Sequence, residues 1–159
     1  MNILIFDDVI KDADQYAKEI FDQGFGEFQD GDNVFKGVKQ RPNDDEFASF
    51  VLDMLPGYEI SLNLVRHSPF GQIEPNYIHK DDMMGDITAI LYLTKNPPYK
   101  DGTIFWEEDI DKEMCIVKSK FNRMIAFDSD CRHSRSMFMN FGNGLDARLI
   151  QVVFLKQKS

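Results

Sequence analysis

Cysteine is scarce in this chain, and other missing features exclude further classes of protein. The two thiols, Cys115 and Cys131, cannot form the disulfide framework that stabilises small secreted domains. No apolar stretch approaches the length of about 20 residues that a helix needs to cross a bilayer. The first residues, Met-Asn-Ile-Leu-Ile-Phe-Asp-Asp, lack the basic start and long apolar segment of a signal peptide. We therefore expect a cytoplasmic protein with reduced thiols and no membrane partner.

Basic residues are also in deficit. The 159 residues include 18 Lys and Arg against 27 Asp and Glu, which gives a net charge of −9 and a pI of about 4.7. A surface of this sign repels the phosphate backbone, so nucleic acid is not expected as the main partner. A local basic groove is compatible with the clustering of Arg132, Arg135 and the basic residues in 118–123.

The composition is that of one folded domain. Hydrophobic residues make up 43% of the chain, including 14 Phe, and the length is sufficient to bury a core. We expect a single domain over residues 1–159, with a strand and two helices in 1–57 and a β core in 58–156. The sequence leaves the oligomeric state open.

Two helices are predicted in the first third of the chain, after a strand candidate at residues 2–6. Asp12 suits the N-cap of the first helix, whose apolar residues fall on one stripe. Residues 42–45 open the second helix with acidic side chains in its first turn, and Pro56-Gly57 ends it. The polar segment 29–40 between the helices is expected to form a loop or a hairpin.

Beyond residue 57 the hydrophobic pattern alternates, as it does in strands. Residues 58–66 place their apolar side chains on one face. The further strand candidates are 86–94, 103–106, 114–118, 123–128, 133–139 and 148–155. Many short strands without helices between them predict a β-sandwich or barrel, with the two helices packed on one outer sheet face.

Two of the three histidines in the chain, together with one aspartate, are candidate metal ligands. His79 and Asp81 lie at i and i+2, so on an extended segment both side chains leave the same face. His133 begins another strand candidate and can complete a 2-His-1-carboxylate triad, which leaves open the coordination positions that non-haem Fe(II) oxygen chemistry requires. The rival carboxylate, Asp82, would face the other way. The third histidine, His67, is predicted to lie in a turn.

Arg148 is the candidate for binding an anion. On the final strand it would share a face with Ile150 and Val152, which are expected to be buried. A buried guanidinium needs an anionic partner because burying an unpaired charge is costly, and its forked geometry suits a carboxylate. Arg135 is the competing candidate.

In this order, these pieces resemble the Fe(II)- and 2-oxoglutarate-dependent oxygenases, especially the compact prolyl-hydroxylase-like group. The matching segments are His79-Lys80-Asp81, Ile90-Leu91-Tyr92-Leu93, Gly102-Thr103-Ile104-Phe105, residues 124–129, His133 and Arg148. The resemblance covers roughly residues 58–156, and it is specific as an ordered set. It implies a mainly β fold, the double-stranded β-helix also called a jelly roll or cupin-like barrel. It also implies that His79, Asp81 and His133 hold iron, and that Arg148 pairs with the distal carboxylate of 2-oxoglutarate.

The resemblance implies further co-substrate contacts from polar residues on the inner strands. The candidates are Asn63, Tyr77, Tyr92 and Thr94. Tyr92 is equally well explained as a core aromatic residue whose hydroxyl finds a local partner.

Two departures from the family pattern affect these expectations. Asp101-Gly102 replaces the usual paired-glycine turn, which leaves the shape of that turn open. The distal histidine stands in Cys-Arg-His-Ser-Arg, a basic setting, so either Arg135 or Arg148 could meet the co-substrate.

The activity implied by the resemblance is a dioxygenase reaction in which dioxygen and 2-oxoglutarate are consumed and an unactivated C–H bond is hydroxylated. A peptide or protein side chain is the first substrate class, a small amino-acid-like molecule the second and a nucleobase the third. Halogenation is disfavoured because Asp81 is present, whereas related halogenases have a small residue there. No catalytic residue beyond the metal ligands is expected. The alternatives are a cupin-like metalloenzyme that does not use 2-oxoglutarate and a non-catalytic jelly-roll binding module.

Overall fold

Two antiparallel β-sheets face each other in the structure, a computed structural model that describes residues 2–159. The helices are α1 (Ala13–Asp22) and α2 (Glu46–Met54), and a short 3-10 helix covers Gly144–Asp146. The strands are β1 (Ile3–Phe6), β2 (Gly26–Asp30), β3 (Asn33–Gln40), β4 (Tyr58–Ser68), β5 (Ile87–Tyr92), β6 (Gly102–Trp106), β7 (Glu113–Lys118), β8 (Arg123–Asp128), β9 (His133–Arg135) and β10 (Arg148–Gln157).

The strand order is that of a double-stranded β-helix. The larger sheet has the order β1-β8-β5-β10-β4-β3-β2, and the smaller sheet has the order β7-β6-β9. All the pairs are antiparallel, and strands far apart in sequence are neighbours, as where β10 lies between β4 and β5. The mainly β fold expected from the sequence is therefore confirmed. The segment 29–40 belongs to the β2–β3 hairpin, which joins the larger sheet at β4.

The two faces of the larger sheet bury two separate cores. Between the sheets lie Ile90, Tyr92, Phe105, Val117, Ile125, Phe127, Ile150, Val152 and Phe154. The outer face packs against the helices through residues that include Ile20, Phe47, Val51, Val65, Leu91, Leu149 and Val153. The helices thus support the larger sheet from outside, as predicted, and the space between the sheets is left for a site.

Side-chain capping explains where the helices begin. Asp12 accepts a hydrogen bond from the backbone N–H of Gln15 (3.2 Å), and Asp45 accepts one from Ala48 (2.9 Å). Each carboxylate satisfies a donor that the first helical turn leaves without a partner.

Two local predictions need correction. The strand predicted at 133–139 ends at Arg135. It ends there because its partner β6 begins at Gly102, and the Gly102 carbonyl accepts the last hydrogen bond between the two strands from Ser136 N (3.1 Å). His67 lies in β4 and not in a turn, since the pairing of β4 with β10 continues to Ser68. Its ring stacks on Phe25 with centroids 4.9 Å apart.

Among the described residues, neither helix has the length and apolar character needed to cross a membrane.

A bidentate ion pair formed by Asp7, directly after the edge strand β1, should make stability depend on pH. Arg123 donates from Nε and Nη2 to the Asp7 carboxylate at 2.7 and 3.1 Å, and the hydrogen bond from Arg123 lowers the pKa of Asp7. A lowered carboxyl pKa contributes stability above its unfolded value, about 3.9, and this contribution is lost as the pH falls through the folded value. We expect Asp7→Asn to cost about 0.5 to 1 kcal/mol of unfolding free energy at pH 7. Urea denaturation at pH 7 and pH 2.5 checks this; an equal cost at both pH values would contradict it.

Candidate active site

His79 and His133 lie side by side because their backbones are paired. Each N–H donates to the other residue's carbonyl oxygen at 2.9 Å, which forms an isolated antiparallel bridge outside the named ladders. His133 is also paired with Phe105 of β6. The two imidazole rings consequently have centroids only 4.3 Å apart. Two residues separated by 54 positions in the chain are thus fixed next to each other by main-chain hydrogen bonds.

Asp81 completes the triad from the same segment as His79. Its backbone N–H donates to Ser129 O at 2.7 Å, which fixes the segment next to β8. The carboxylate oxygens lie 3.4 Å from His79 Nε2 and 3.1 Å from His133 Nε2. Ligand atoms of the three residues all lie within 4.8 Å of one another, so one metal ion could contact all three.

The ring orientation of both histidines suits metal binding through Nε2. His79 Nδ1 donates to Tyr77 O at 2.9 Å, and His133 Nδ1 donates to Cys131 O at 3.0 Å. A carbonyl oxygen can only accept, so Nδ1 of each ring carries a proton and Nε2 is the nitrogen that faces the metal position; a bound metal would take the Nε2 lone pair, and without a metal Nε2 can hold a proton and donate to Asp81. This is the usual arrangement behind a metal-bound imidazole.

The electrostatics of the triad keep its carboxylate ionised. Burial by itself would raise the pKa of Asp81, but the hydrogen bonds and charges of His133 and His79 outweigh burial and hold that pKa well below its usual range. Burial likewise disfavours the charged form of His79, but the hydrogen bond to Asp81, the hydrogen bond to the Tyr77 carbonyl and the charge of Asp81 together outweigh burial and raise the pKa of His79. An anionic oxygen facing two imidazole nitrogens is a donor set suited to a divalent transition metal.

A cluster of three arginines, one buried and two partly buried, lies beside the triad. Arg148 is 5% exposed, and its Nε has no hydrogen-bond partner within residues 2–159; the nearest carboxylate, Asp101, is 4.0 Å away. Ile150 is paired with Arg66, so Arg148 and Arg66 are diagonal neighbours on one sheet face. Arg135 faces the same space from β9. We call Arg66, Arg135, Arg148, Glu74 and Asp101 together the arginine cluster.

Glu74 connects two of these arginines. It receives a hydrogen bond from Arg135 Nη1 at 2.9 Å and lies 3.6 Å from Arg66 Nη2, while Ser68 and Gln72 also donate to it. Arg66 lies over the ring of Phe35 at 5.1 Å. Even so, the Nε and Nη2 atoms of both Arg66 and Arg135 are buried and have no hydrogen-bond partner in the described part of the chain.

The arginine cluster therefore has more buried positive than negative charge. Three guanidinium groups face two carboxylates, Glu74 and Asp101, which leaves one positive charge uncompensated. Burial and the charge of Arg148 lower the pKa of Arg135 to about 10, and both also lower the pKa of Arg66. Unpaired buried charge is costly, so this geometry fits one additional anionic group.

Tyr92 and Thr103 border the arginine cluster from the facing sheets. The Tyr92 hydroxyl lies 2.6 Å from Thr103 Oγ1, and burial raises the pKa of Tyr92 to about 12, so the phenol stays protonated. In the Asp101-Gly102 turn, a Cβ on Gly102 would lie 2.3 Å from Val117 O. Only glycine permits this approach of β6 to β7, and the turn places Asp101 beside Arg148.

The other three residues predicted to contact the co-substrate, Tyr77, Thr94 and Asn63, lie at different distances from the triad. Tyr77 is at the edge of the triad, with its ring centroid 5.2 Å from that of His79. Thr94 is buried and hydrogen-bonds main-chain atoms of Ala147 and Leu149. Asn63 lies on the opposite, helix-facing side of the sheet, where it donates to Pro42 O and accepts from Gln151 at 2.8 Å. The structure thus brings Tyr92 and Tyr77 near the site, and it leaves Asn63 away from it.

Arg66 and Glu74 were not identified from the sequence, although a signal for Arg66 exists. Arg66 follows Leu62 and Leu64 at the spacing of one strand face, the same pattern that singled out Arg148. Glu74 lies outside regular structure, and no periodicity in its segment could place it against an arginine.

Comparison with known proteins shows the fold. No protein-family model matches the sequence, and no curated protein matches it either. Solved structures do match. A prolyl hydroxylase from Trichoplax adhaerens, in complex with a hypoxia inducible factor peptide fragment, has a TM-score of 0.68 at 16% identity, over 96% of this chain and 82% of that chain. A prolyl-4-hydroxylase from Pseudomonas putida has a TM-score of 0.67 at 12% identity, over 99% and 93%.

A third match is an epimerase from nogalamycin biosynthesis in complex with Fe3+ and α-ketoglutarate, with a TM-score of 0.64 at 9% identity over 96% and 78% of the two chains. The chain therefore has the fold of the iron- and 2-oxoglutarate-dependent oxygenases, and its resemblance to the prolyl-hydroxylase-like group is confirmed at the level of the fold.

Because Asn63 is tied into the helix-facing network, we expect it to act on stability and not on the site. Asn63→Ala removes one buried and one partly buried hydrogen bond and leaves one donor of the buried Gln151 amide without its partner, which should cost about 1 to 3 kcal/mol of unfolding free energy. Affinity for 2-oxoglutarate should stay within about twofold of the parent value, a change below about 0.4 kcal/mol. Denaturant titration and calorimetric binding check the two parts, and a tenfold loss of affinity without destabilisation would contradict this assignment.

Proposed function

We propose that this protein is an Fe(II)- and 2-oxoglutarate-dependent dioxygenase that hydroxylates an unactivated C–H bond. In that reaction 2-oxoglutarate, dioxygen and the substrate R–H give succinate, carbon dioxide and R–OH. The observation that supports it most is the adjacency of two features: a His-Asp-His face and a buried arginine cluster with one uncompensated positive charge.

His79, Asp81 and His133 are the residues that would hold Fe(II). Their contribution is one anionic oxygen and two imidazole nitrogens oriented by carbonyl hydrogen bonds, from positions fixed by the backbone bridge. Such a face leaves coordination positions for a keto acid and dioxygen, and the bound iron supplies the oxygen chemistry.

Arg148 is the residue that we assign to the distal carboxylate of 2-oxoglutarate. Its Nε lacks a hydrogen-bond partner among residues 2–159, whereas Arg135 already donates to Glu74 and to Asn140 (2.6 Å). One carboxylate added here would balance the charge of the arginine cluster. We further propose that the Tyr92 hydroxyl, which is protonated at neutral pH, donates to the same carboxylate while it accepts from Thr103 Oγ1 at 2.6 Å.

Aromatic side chains protect the metal position from water. The Phe127 ring centroid lies 4.8 Å from that of His133, and the Phe105 centroid lies 6.3 Å from it. Both phenylalanines are buried between the sheets. An apolar surround on one side of the triad limits side reactions with solvent, and the proposed reaction requires no further acid or base from the protein.

For the substrate, we propose a peptide or protein side chain. The similar fold of a prolyl hydroxylase bound to a peptide fragment supports this class. A small amino-acid-like molecule is the second candidate. The similar fold of an epimerase in complex with α-ketoglutarate and nogalamycin RO supports a small-molecule substrate in general.

An anaerobic titration of the apo-protein with Fe(II) and 2-oxoglutarate tests the proposed function. We expect a saturable visible metal-to-ligand charge-transfer band, lost in His79→Ala because that variant removes one of the three ligands. Metal binding without the band would favour a cupin-like metalloenzyme, and absence of both signals would favour a non-catalytic module.

Three arginine variants distinguish the anchor for the co-substrate. Arg148→Ala should raise the dissociation constant for 2-oxoglutarate about a hundredfold, because it removes the buried charge that the carboxylate would meet. Arg135→Ala should raise it about tenfold, since Arg135 is partly neutralised by Glu74.

Arg132→Ala is the matched control for this series. Arg132 precedes His133, but its guanidinium donates to Glu107 O, Ile110 O and the Asp111 carboxylate. Its loss should change affinity by less than about twofold. If Arg148→Ala retained parent affinity in the charge-transfer titration, the assignment of the anchor would be wrong.

A further inference from the structure

Two loops beside the metal triad form a continuous surface, which we call the rim: residues 69–78 and 136–143. The loops are joined by hydrogen bonds from Phe70 N to Gly142 O (2.8 Å), from Asn140 Nδ2 to Gln72 O (2.7 Å) and from Asn76 Nδ2 to Met137 O (3.2 Å). Since both loops lie outside the sheets, this cross-linking is what gives the rim a defined shape.

The rim exposes large apolar side chains. Exposure reaches 88% for Ile73 and 89% for Phe138, and the other exposed members are Phe70, Tyr77 and Met139. A folded chain rarely presents several such residues together unless they form an interaction site.

The rim also lacks exposed charge, which is unusual in a chain with a net charge of −9. Segment 136–143, Ser-Met-Phe-Met-Asn-Phe-Gly-Asn, contains no charged residue, and Glu74 is the single charged residue of segment 69–78. The Glu74 side chain is 3% exposed and points at Arg66 and Arg135. A charged partner would gain nothing from this surface and would lose its hydration.

The rim borders the metal position directly. Tyr77 belongs to the rim, its carbonyl accepts from His79 Nδ1, and its ring lies 5.2 Å from the His79 ring. Glu74 and Asn140 connect the rim to Arg135 of the arginine cluster. A molecule that rests on the rim is therefore placed next to the proposed reaction centre.

The openness of the rim favours a polypeptide over a small molecule. A small apolar ligand needs a concave site that encloses most of its surface. Two shallow cavities are lined by residues outside the rim: one of about 610 Å³ includes Trp106 and Arg132, and one of about 270 Å³ is lined by Asp82, Asp86, Asp128 and Asp130. A polypeptide segment can cover exposed side chains without being enclosed.

We infer that the rim is the docking surface for the polypeptide substrate, and that it selects a segment whose residues next to the hydroxylated position are apolar and uncharged. This inference rests on the proposed function, because it takes the metal triad as the place of reaction. Phe138 and Ile73 are the two residues expected to contribute most, since their side chains are almost fully exposed and become buried on binding.

Fluorescence anisotropy with three pools of labelled 12-residue peptides tests the inference, in anaerobic buffer with Fe(II) and 2-oxoglutarate. Every peptide has a central proline, and its variable positions alternate with Gly or Ser. The variable positions hold Leu, Ile, Phe and Met in the first pool. They hold Lys and Arg in the second pool and Asp and Glu in the third. We expect the apolar pool to bind about tenfold tighter than either charged pool. Phe138→Asp and Ile73→Asp should each weaken that binding about tenfold.

Ile5→Asp is the matched control. Ile5 is a half-exposed apolar residue on edge strand β1, four strands away from β4, which leads into the rim. It should leave binding of the apolar pool unchanged, and thermal unfolding establishes that each variant is folded. Equal binding of all pools, preference for a charged pool, no binding, or an equal loss in Ile5→Asp would overturn the inference.

The charge-transfer titration, repeated with the same variants, separates this inference from the proposed function. If the parent protein shows no band, the proposed function fails. If the parent, Phe138→Asp and Ile73→Asp all show the band but no preference for the apolar pool, the dioxygenase proposal stands and the role of the rim fails.

Discussion

The position of β10 between two antiparallel neighbours is the constraint on which the rest of the molecule depends. With β4 on one side and β5 on the other, its backbone is satisfied and cannot shift register without breaking both ladders. Alternate side chains then serve two different purposes. Gln151 bonds with Asn63, Asp45 and Tyr16 beneath the helices, whereas Arg148 enters the space between the sheets. One strand thus connects the supporting layer to the proposed site.

Much of this architecture could be predicted because local rules agree with the final packing. Alternation identified the strands of the β core, and Asp12 marked the N-cap of the first helix. The spacing of His79 and Asp81, together with the scarcity of histidine, indicated the triad that the structure brings within contact of one ion. These features depend on neighbours in sequence or on residue types that are rare in the chain.

What could not be predicted depends on contacts between distant segments. The early end of β9 follows from where β6 begins, and the place of His67 follows from the length of the β4–β10 ladder. Asn63 had the polarity of a ligand contact, but its position in β4 points it at the helices. Glu74 is the clearest case, because a residue without regular structure meets two arginines only after β4 and β9 have assembled.

The excess of buried positive charge in the arginine cluster links the fold to the composition of the surrounding solution. Without an anion, the native state bears the cost of the unbalanced guanidinium groups, and unfolding relieves that cost by returning them to water. A carboxylate that binds only the native state increases the free energy of unfolding. The increase grows with the logarithm of the ligand concentration divided by its dissociation constant, and it reaches about 2.7 kcal/mol when that concentration is a hundred times the dissociation constant. If that carboxylate belongs to a keto acid, as we propose, the same imbalance makes the resistance of the whole fold to unfolding vary with the supply of that metabolite.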